Sequence, residues 1–404
     1  MIAILKREWK SYFQNNTGWL FIAAVLALYG LYFLAYNLRA GYPYVSYTLS
    51  AISFIMLIAV PILTMRSMAE ERHSRTDQLV LTAPVSLGKM IFGKFLAMVG
   101  VFTVAVAVIA VTPLVLAAFG TVPMGENYVA VLGFWLYGCT CIAVGMLASA
   151  LTESQVIAAV VAFAFLFLGY MMNSITGLIG DHLITKVLGA YDLYTPLQSF
   201  MSGCLDLTGV VYFVSVTALC LFLTCQCVQK RRWSMTTKKL TTGMFSVAMI
   251  VVGFAVAVAV NMVVKEMPSS WTAVDATSTK LYSLTDTTKD YVKNLSQDVT
   301  IYVLSSEKSA DSTLAETLQR YEDLSKHLNV VYKDPAKSPN FYQQYTDSAP
   351  SQNSMIVVSD ARSRVVDYSD IYEYSYDYST YSSSVDGYDA VSYTHLRAHE
   401  TEAD

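Results

Sequence analysis

The sequence predicts a mainly α-helical, polytopic membrane bundle of seven spans, followed by an incomplete extracytoplasmic α/β domain. Of the 404 residues, 54% are hydrophobic and only 14% are charged, whereas soluble domains average about 25% charged residues. In addition, seven apolar segments contain no Asp, Glu, Lys, Arg or His, and each is long enough to cross about 30 Å of hydrocarbon. These segments are Gly18–Leu38, Tyr47–Met65, Phe95–Phe119, Tyr128–Leu151, Gln155–Ile175, Gly209–Val228 and Thr242–Val264.

Basic residues flank these segments far more on one side of the membrane than on the other. The side with the N-terminus carries 13 Lys and Arg residues, and the opposite side carries only Arg39 and Lys186. Since short cytoplasmic loops are rich in Lys and Arg, we expect a multi-pass protein of the cell (inner, cytoplasmic) membrane with a cytoplasmic N-terminus. Seven spans then place the residues after about 264 outside the cytoplasm.

The loop between the second and third segments has an unusual pattern. A charged patch, Glu70-Glu71-Arg72, is followed by the apolar run Leu79–Leu81, which Pro84 ends. One interpretation is an ordinary solvated, basic cytoplasmic loop. The other is a docking surface for a protein partner, because exposed apolar residues rimmed by charge are typical of interaction sites.

This loop resembles that of type-2 ABC transporter permeases, in particular the gliding-motility (Gld) type. The matching residues are Arg66, Ala69, Glu70, Glu71, Arg72, Thr76, Leu79, Leu81, Thr82, Pro84, Val85, Ser86, Gly93, Lys94 and Phe95. The sequence departs from the family pattern at Arg75 (usually Gly) and at Gln78 (usually Glu). The resemblance covers about residues 1–230 and implies a six-span permease over 1–229. It also implies an ATPase-docking loop formed by Arg66, Glu70, Glu71, Arg72, Thr76, Leu79, Leu81, Pro84, Gly93 and Lys94.

The predicted spans contain no energy source. Ion-coupled carriers keep ionisable groups at membrane depth, and these segments have none. The sequence also lacks the Gly-x-x-x-x-Gly-Lys-Ser/Thr phosphate loop, so we expect no enzymatic activity, catalytic residue, metal or cofactor in this chain. The resemblance implies that a separate ABC ATP-binding subunit holds ATP and Mg²⁺. A symmetric path requires a permease homodimer, and the acidic part of the sequence over 265–404 gives no indication of nucleic-acid binding.

A second unit follows a basic cytoplasmic linker over 230–241 and the seventh span over 242–264. Residues 265–390 predict an α/β domain: Val299–Leu304, Asn329–Tyr332 and Met355–Val358 have strand patterns, and a helical pattern starts at Leu314. Strand, helix and strand in this order indicate a βαβ unit. His327 has no ligand or catalytic partner at a useful spacing and is interpreted as a helix-end residue. The unit resembles the Gld auxiliary protein at Asn261, Asp275, Lys280–Thr285, Arg320, Tyr321 and Asp334-Pro335.

The end of the sequence has an unusual composition. Seven tyrosines between Tyr368 and Tyr388 lie among Ser, Asp and Thr, which favours a mobile loop or irregular β-edge over a sugar- or peptide-binding surface. Val391–Thr401 resembles a translated sequencing adapter, so we exclude 391–404 from the fold and expect the domain to be cut short near Ala390.

These features predict the transmembrane subunit of an ATP-driven ABC exporter. The alternative is a non-transporting membrane scaffold, which would pass ATPase-driven motion through the outer domain to envelope partners. The absence of ionisable groups along the predicted spans leaves both hypotheses open.

Overall fold

The computed structural model describes residues 2–74, 86–179, 189–233, 239–265, 267, 273–276, 286–295, 297–306, 309–359, 362–375 and 389–392. The chain divides into two compact units. Unit 1 comprises residues 1–201 and 206–266, and unit 2 comprises residues 202–205 and 267–404.

Unit 1 is built of helices. They are α1 Ile2–Gln14, α2 Thr17–Phe33, α3 Val45–Thr64, α4 Arg66–His73, α5 Leu87–Ile109, α6 Thr112–Ala117, α7 Met124–Leu151, α8 Gln155–Ile179, α9 Tyr194–Met201, α10 Leu207–Trp233 and α11 Lys239–Lys265. A short π-helix, Leu34–Arg39, continues α2.

Six helical stretches in the described part of the chain are long and apolar enough to cross a membrane, as the sequence predicts for the first six segments. They are Thr17–Arg39, Val45–His73, Leu87–Ala117, Met124–Leu151, Gln155–Gly177 and Leu207–Gln229. The predicted seventh span falls on α11, whose apolar stretch in the described residues, Ala248–Val264, is shorter than the other six. A seventh span therefore stays a prediction. The third apolar segment starts at Phe95, whereas α5 begins two turns earlier, at Leu87. The helix runs through Lys94, whose charge is paired within the bundle.

Helix α7 lies at the centre of unit 1 and packs against α3, α5, α8 and α10. Small residues allow these close approaches, as is usual where helices pack in membranes. A side chain added at Gly138 would collide with the ring of Phe102 on α5. The glycine at this position therefore allows α5 to pack closely against α7.

Two buried asparagines close the connection between α2 and α3. Asn37 Nδ2 donates to the carbonyl oxygens of Tyr42 (2.7 Å) and Tyr44 (3.1 Å), and Asn37 Oδ1 accepts from the Thr48 hydroxyl (2.8 Å). Asn127 Oδ1, on α7, accepts from the N–H of Val45 (2.7 Å). These bonds satisfy backbone groups that the turn leaves unpaired, and the sequence analysis did not identify them.

Unit 2 is an α/β unit. Its helices are α12 Asp286–Lys293 and α13 Ser312–Leu324, and its strands are β1 Cys204–Asp206, β2 Ala273–Asp275, β3 Val299–Val303, β4 Leu328–Tyr332, β5 Met355–Ser359, β6 Ser363–Val366, β7 Tyr372–Ser375 and β8 Asp389–Ser392. The main sheet has the order β4-β3-β5-β6. Strands β3 and β4 are parallel, while β5 runs antiparallel to β3 and β6.

The predicted βαβ unit is confirmed as β3, α13 and β4. Helix α13 begins where the Asp311 carboxylate accepts from the N–H of Leu314 (2.9 Å), which is a typical N-cap. Its apolar face packs with Ile301 and Val303 of β3 and with Leu328 of β4 in one buried core.

Other parts of unit 2 differ from or extend the sequence prediction. Strands β1, β2, β6, β7 and β8 were not predicted. His327 lies three residues after α13 ends, and its Nδ1 is 2.7 Å from Asp298 Oδ1. In the tyrosine-rich stretch, Tyr368 lies in a 3-10 turn, and Tyr372 and Tyr374 lie in β7. The remaining tyrosines of that stretch, Tyr376, Tyr378, Tyr381 and Tyr388, lie outside the described residues.

Candidate functional site

The predicted docking loop leaves the bundle through α4, which follows α3 after the single residue Met65. Ser149, near the end of α7, holds the start of α4. Its hydroxyl accepts from the N–H groups of Met68 (3.1 Å) and Ala69 (3.0 Å), and it donates to the Met65 carbonyl (3.0 Å). The hydroxyl thereby uses its donor on Met65 and both acceptor positions on the first turn of α4, so α4 is fixed to α7 where it begins.

Arg66 and Glu70 form a pair along α4. The guanidinium donates to both carboxylate oxygens, from Nε at 2.7 Å and from Nη2 at 2.8 Å. A two-bond Arg–carboxylate contact at i,i+4 spacing holds both side chains in one geometry. Arg66 Nη1 also donates to the hydroxyl of Thr17 at the start of α2 (3.3 Å).

Arg72 connects α4 to the turn between α7 and α8. Its Nη2 donates to the Glu153 carboxylate at 2.9 Å, and its Nη1 lies 3.5 Å from the Ala150 carbonyl oxygen. The Arg72 side chain is 15% exposed, whereas that of Glu153 is 71% exposed. Arg72 therefore faces the bundle, and Glu153 remains accessible from outside.

Glu71 and Lys94 form the innermost ion pair of this region. The Glu71 carboxylate lies 2.6 Å from Lys94 Nζ, and the Lys94 side chain is only 3% exposed. On α1, Arg7 donates to Glu8 at 2.6 Å, and this hydrogen bond raises the pKa of Arg7. We call the side chains of Arg7, Glu8, Glu71 and Lys94 the Lys94 cluster.

The structure brings together six of the ten predicted docking residues. Arg66, Glu70, Glu71 and Arg72 lie on α4, and Gly93 and Lys94 are buried in α5. The buried positions of Gly93 and Lys94 favour an internal role over direct contact with a partner. The other four, Thr76, Leu79, Leu81 and Pro84, lie outside the described residues.

The sequence analysis missed three residues of the region, namely Glu8, Ser149 and Glu153. A carboxylate between Arg7 and Lys10 is a signal that could have drawn attention to Glu8. Nothing in the sequence near Ser149 distinguishes it from other small polar residues in apolar helices, because its partners come from a distant helix.

Comparison with protein families gives two matches. Residues 39–228 match the model of the ABC-2 family transporter protein. This range contains α3 to α9 and most of α10. Residues 278–371 match a domain of unknown function, DUF7088. Comparison with curated proteins finds no match.

The two ends of the docking loop, α4 and α5, lie within the first matched region, as do Ser149 and Glu153. Domains of this kind are generally non-catalytic transmembrane components of ABC transporters. The six apolar helical stretches agree with a multi-pass membrane protein. Residues 39–228 of this chain are therefore similar to the membrane domain of ABC-2 family transporters, which supports a type-2 ABC permease.

Proposed function

We propose that this chain is the transmembrane subunit of an ATP-driven exporter, moved by a separate ABC ATP-binding subunit that docks on the loop between α4 and α5. The observation that carries this proposal is the ABC-2 match combined with the anchoring of α4. Ser149 and Arg72 tie α4 to the α7 region, and Glu71 ties it to α5. A partner that pulls on the loop would thus act on several helices at once.

The docking surface consists of the loop and the exposed part of α4. Glu70 is the most exposed acidic side chain on α4, at 43%, and Arg66 holds it in place. The apolar run Leu79–Leu81 supplies the contact area that a charged helix alone does not. ATP and Mg²⁺ are bound by the partner, and this chain contributes motion and no chemistry.

The orientation follows from the distribution of charge. The end of the bundle with α1, α4 and the basic linker faces the cytoplasm, as expected for short loops rich in Lys and Arg. Unit 2 follows the seventh span and is therefore extracytoplasmic. Two copies of unit 1 would form a symmetric path in the inner membrane.

The residue matches favour the gliding-motility type of permease, fused to its auxiliary protein. Within this proposal, unit 2 gathers or gates the cargo at the outer surface. Its acidic composition suits a soluble domain that meets cationic partners or cargo.

A second function, a scaffold that moves unit 2 without transporting cargo, is favoured by one contact. Asn261, on the helix that precedes unit 2, donates from Nδ2 to the hydroxyl of Ser215 on α10 at 2.7 Å. A hydrogen bond between two apolar helices is retained in lipid, because the bilayer core has no water to form competing hydrogen bonds with its donor and acceptor. Movement of α10 would consequently reach α11.

Affinity isolation of the intact complex from native membranes tests the docking proposal. We expect an ABC ATP-binding subunit to co-purify with the natural chain and to be lost with Leu79→Asp/Leu81→Asp, because charges would remove the apolar contact. The matched control, Leu79→Met/Leu81→Met, retains apolar area and should retain the subunit. Equal recovery with both double variants would contradict docking at this loop.

Export and scaffolding are separated by reconstitution of the isolated complex in sealed vesicles. ATP-dependent movement of a co-purified molecule across the vesicle membrane supports export. ATP-dependent change in the outer unit without such movement supports the scaffold. ATP-independent activity of this chain alone would contradict both functions.

A further inference from the structure

Of the side chains that the structure describes, Lys94 is the one charged group that is almost completely buried. Its ammonium group has three acceptors: Glu71 Oε1 at 2.6 Å, the Ser67 carbonyl oxygen at 3.2 Å and Glu8 Oε1 at 3.3 Å. A lysine ammonium has three N–H donors, so these acceptors account for all of its hydrogen-bonding capacity. A buried cation satisfied in this way is held firmly in one position.

The three acceptors belong to two other helices. Glu8 lies on α1, whereas Ser67 and Glu71 lie on α4, and Lys94 itself is on α5. Arg7 adds a second cation, 2.6 Å from Glu8 and 3.8 Å from Glu71. The Lys94 cluster thus pairs two cations with two carboxylates, which is the condition for burying charge without a large desolvation penalty.

Packing between α1 and α5 supports the same arrangement. The indole ring of Trp9, next to Glu8, fills the space above Gly100 on α5, where any side chain would collide with it. Helix α1 therefore has an apolar contact and an ionic contact with α5. Helix α4 contacts α5 differently, through the hydrogen bonds of Lys94 to Ser67 and Glu71. The start of α4 is held separately, by Ser149 on α7.

We propose that Lys94 is a positioning residue, which locks α4 to α1 and α5 so that force applied to the docking loop moves all three helices together. This inference rests on the proposed function, because it assumes that a partner acts on the loop. Lys94 would not touch the partner. It would set where α4 presents the loop, and it would make the N-terminal helix part of the moving unit.

The test uses the full chain with Lys94→Met, which keeps the length of the side chain and removes its charge. Lys89→Met is the matched control, because Lys89 lies on the same helix but is exposed. A second variant, Glu8→Gln, keeps Lys94 and removes the charge of its acceptor on α1. The two readouts are amide hydrogen exchange along the chain and recovery of the ATP-binding subunit in affinity isolation.

We expect Lys94→Met to speed amide exchange in α1 and α4 by about tenfold or more, the scale of a lost hydrogen bond to a charged group. Exchange in α7 should stay unchanged, and recovery of the ATP-binding subunit should fall several-fold. Lys89→Met should resemble the natural chain, and Glu8→Gln should speed exchange in α1 and lower recovery by less than Lys94→Met does. If Lys94→Met does not fold, Glu8→Gln decides: faster exchange in α1 together with reduced recovery supports the lock, and natural rates and recovery overturn it.

Three results would overturn the proposal: unchanged exchange in α1 and α4, an equal rise in α7 that marks a general loss of stability, or normal recovery of the subunit despite loosened helices. If the natural chain recovers no ATP-binding subunit, the proposed function fails and the coupling role fails with it. In that case hydrogen exchange still reports separately whether Lys94 holds α1 and α4, so the two failures are distinguishable.

Discussion

Thr64 on α3 lies directly against Gly145 on α7. A Cβ added at Gly145 would lie 3.0 Å from the Thr64 Cβ and closer still to its hydroxyl. The Thr64 hydroxyl donates to the Val60 carbonyl oxygen at 3.0 Å within its own helix, so it cannot turn away without breaking that bond. The two helices thus meet where there is no room for a second side chain, two residues before α4 begins.

We expect Gly145→Ala to lower the thermal stability of the detergent-solubilised chain, because overpacking a filled interior typically costs about 1–3 kcal/mol. Loss of monodisperse protein after heating, followed by size-exclusion chromatography, measures this change. Gly30→Ala on α2 is the control, since a Cβ there meets nothing within 4 Å. Thr64→Ala combined with Gly145→Ala should recover part of the loss, and a single variant as stable as the natural chain would refute the contact.

Because Asn261 donates a hydrogen bond to Ser215, we expect substitutions at these two residues to have non-additive effects on stability. Asn261→Leu and Ser215→Ala should each destabilise the contact of α11 with α10, by roughly 0.6–2 kcal/mol for a polar bond between membrane helices. The double variant should cost no more than the larger single effect, because both changes remove the same bond. Thermal melts of the four chains form the cycle, and fully additive effects would show that the two residues act independently.

We expect the segment of unit 2 around Asp367 to lose structural stability at acidic pH. Its carboxylate accepts from the backbone N–H groups of Ser351 (3.0 Å) and Ser369 (3.1 Å) and from neighbouring serine hydroxyls. The backbone bonds hold the pKa of Asp367 well below its usual range. A carboxylate with a lowered pKa contributes stability above the unfolded value of about 3.9 and loses it as the pH falls toward the folded value.

Amide exchange of residues 351–371, corrected for its intrinsic pH dependence, should therefore show full protection at neutral pH and progressive loss below about pH 4. Asp367→Asn should lose protection already at neutral pH and show little further change on acidification. Asp347→Asn, at an exposed aspartate of the same unit, is the control and should behave as the natural chain. An unchanged acid response in Asp367→Asn would assign the effect to another group.

The membrane spans could be predicted almost completely from the sequence, because a bilayer demands long runs without charge and such runs are visible one residue at a time. The same holds for β3, α13 and β4, whose period-2 and helical patterns are local. The apolar segment was drawn from Phe95, after the last charged residue, and the helix itself extends back to Leu87. It does so because Lys94 has carboxylate partners and lies within it.

The candidate site was predicted in part. The loop motif pointed to α4 and the start of α5, which lie within the residues that match the ABC-2 model. Docking at these residues stays a prediction. The contacts of α4 with Glu8 and Ser149 could not be predicted from the sequence, because these residues are 63 and 78 positions away from Glu71 along the chain. No local pattern encodes a contact of that separation.

By itself, the sequence determined which segments are apolar enough to cross a membrane, on which side the basic residues concentrate, and the strand–helix–strand order of unit 2. These properties depend on composition and short-range periodicity. Only the tertiary structure decided that Glu71 faces Lys94, that Ser149 caps α4 and that Gly145 makes room for Thr64. Each of those contacts joins helices far apart in the chain, and side-chain packing in three dimensions selects the partner.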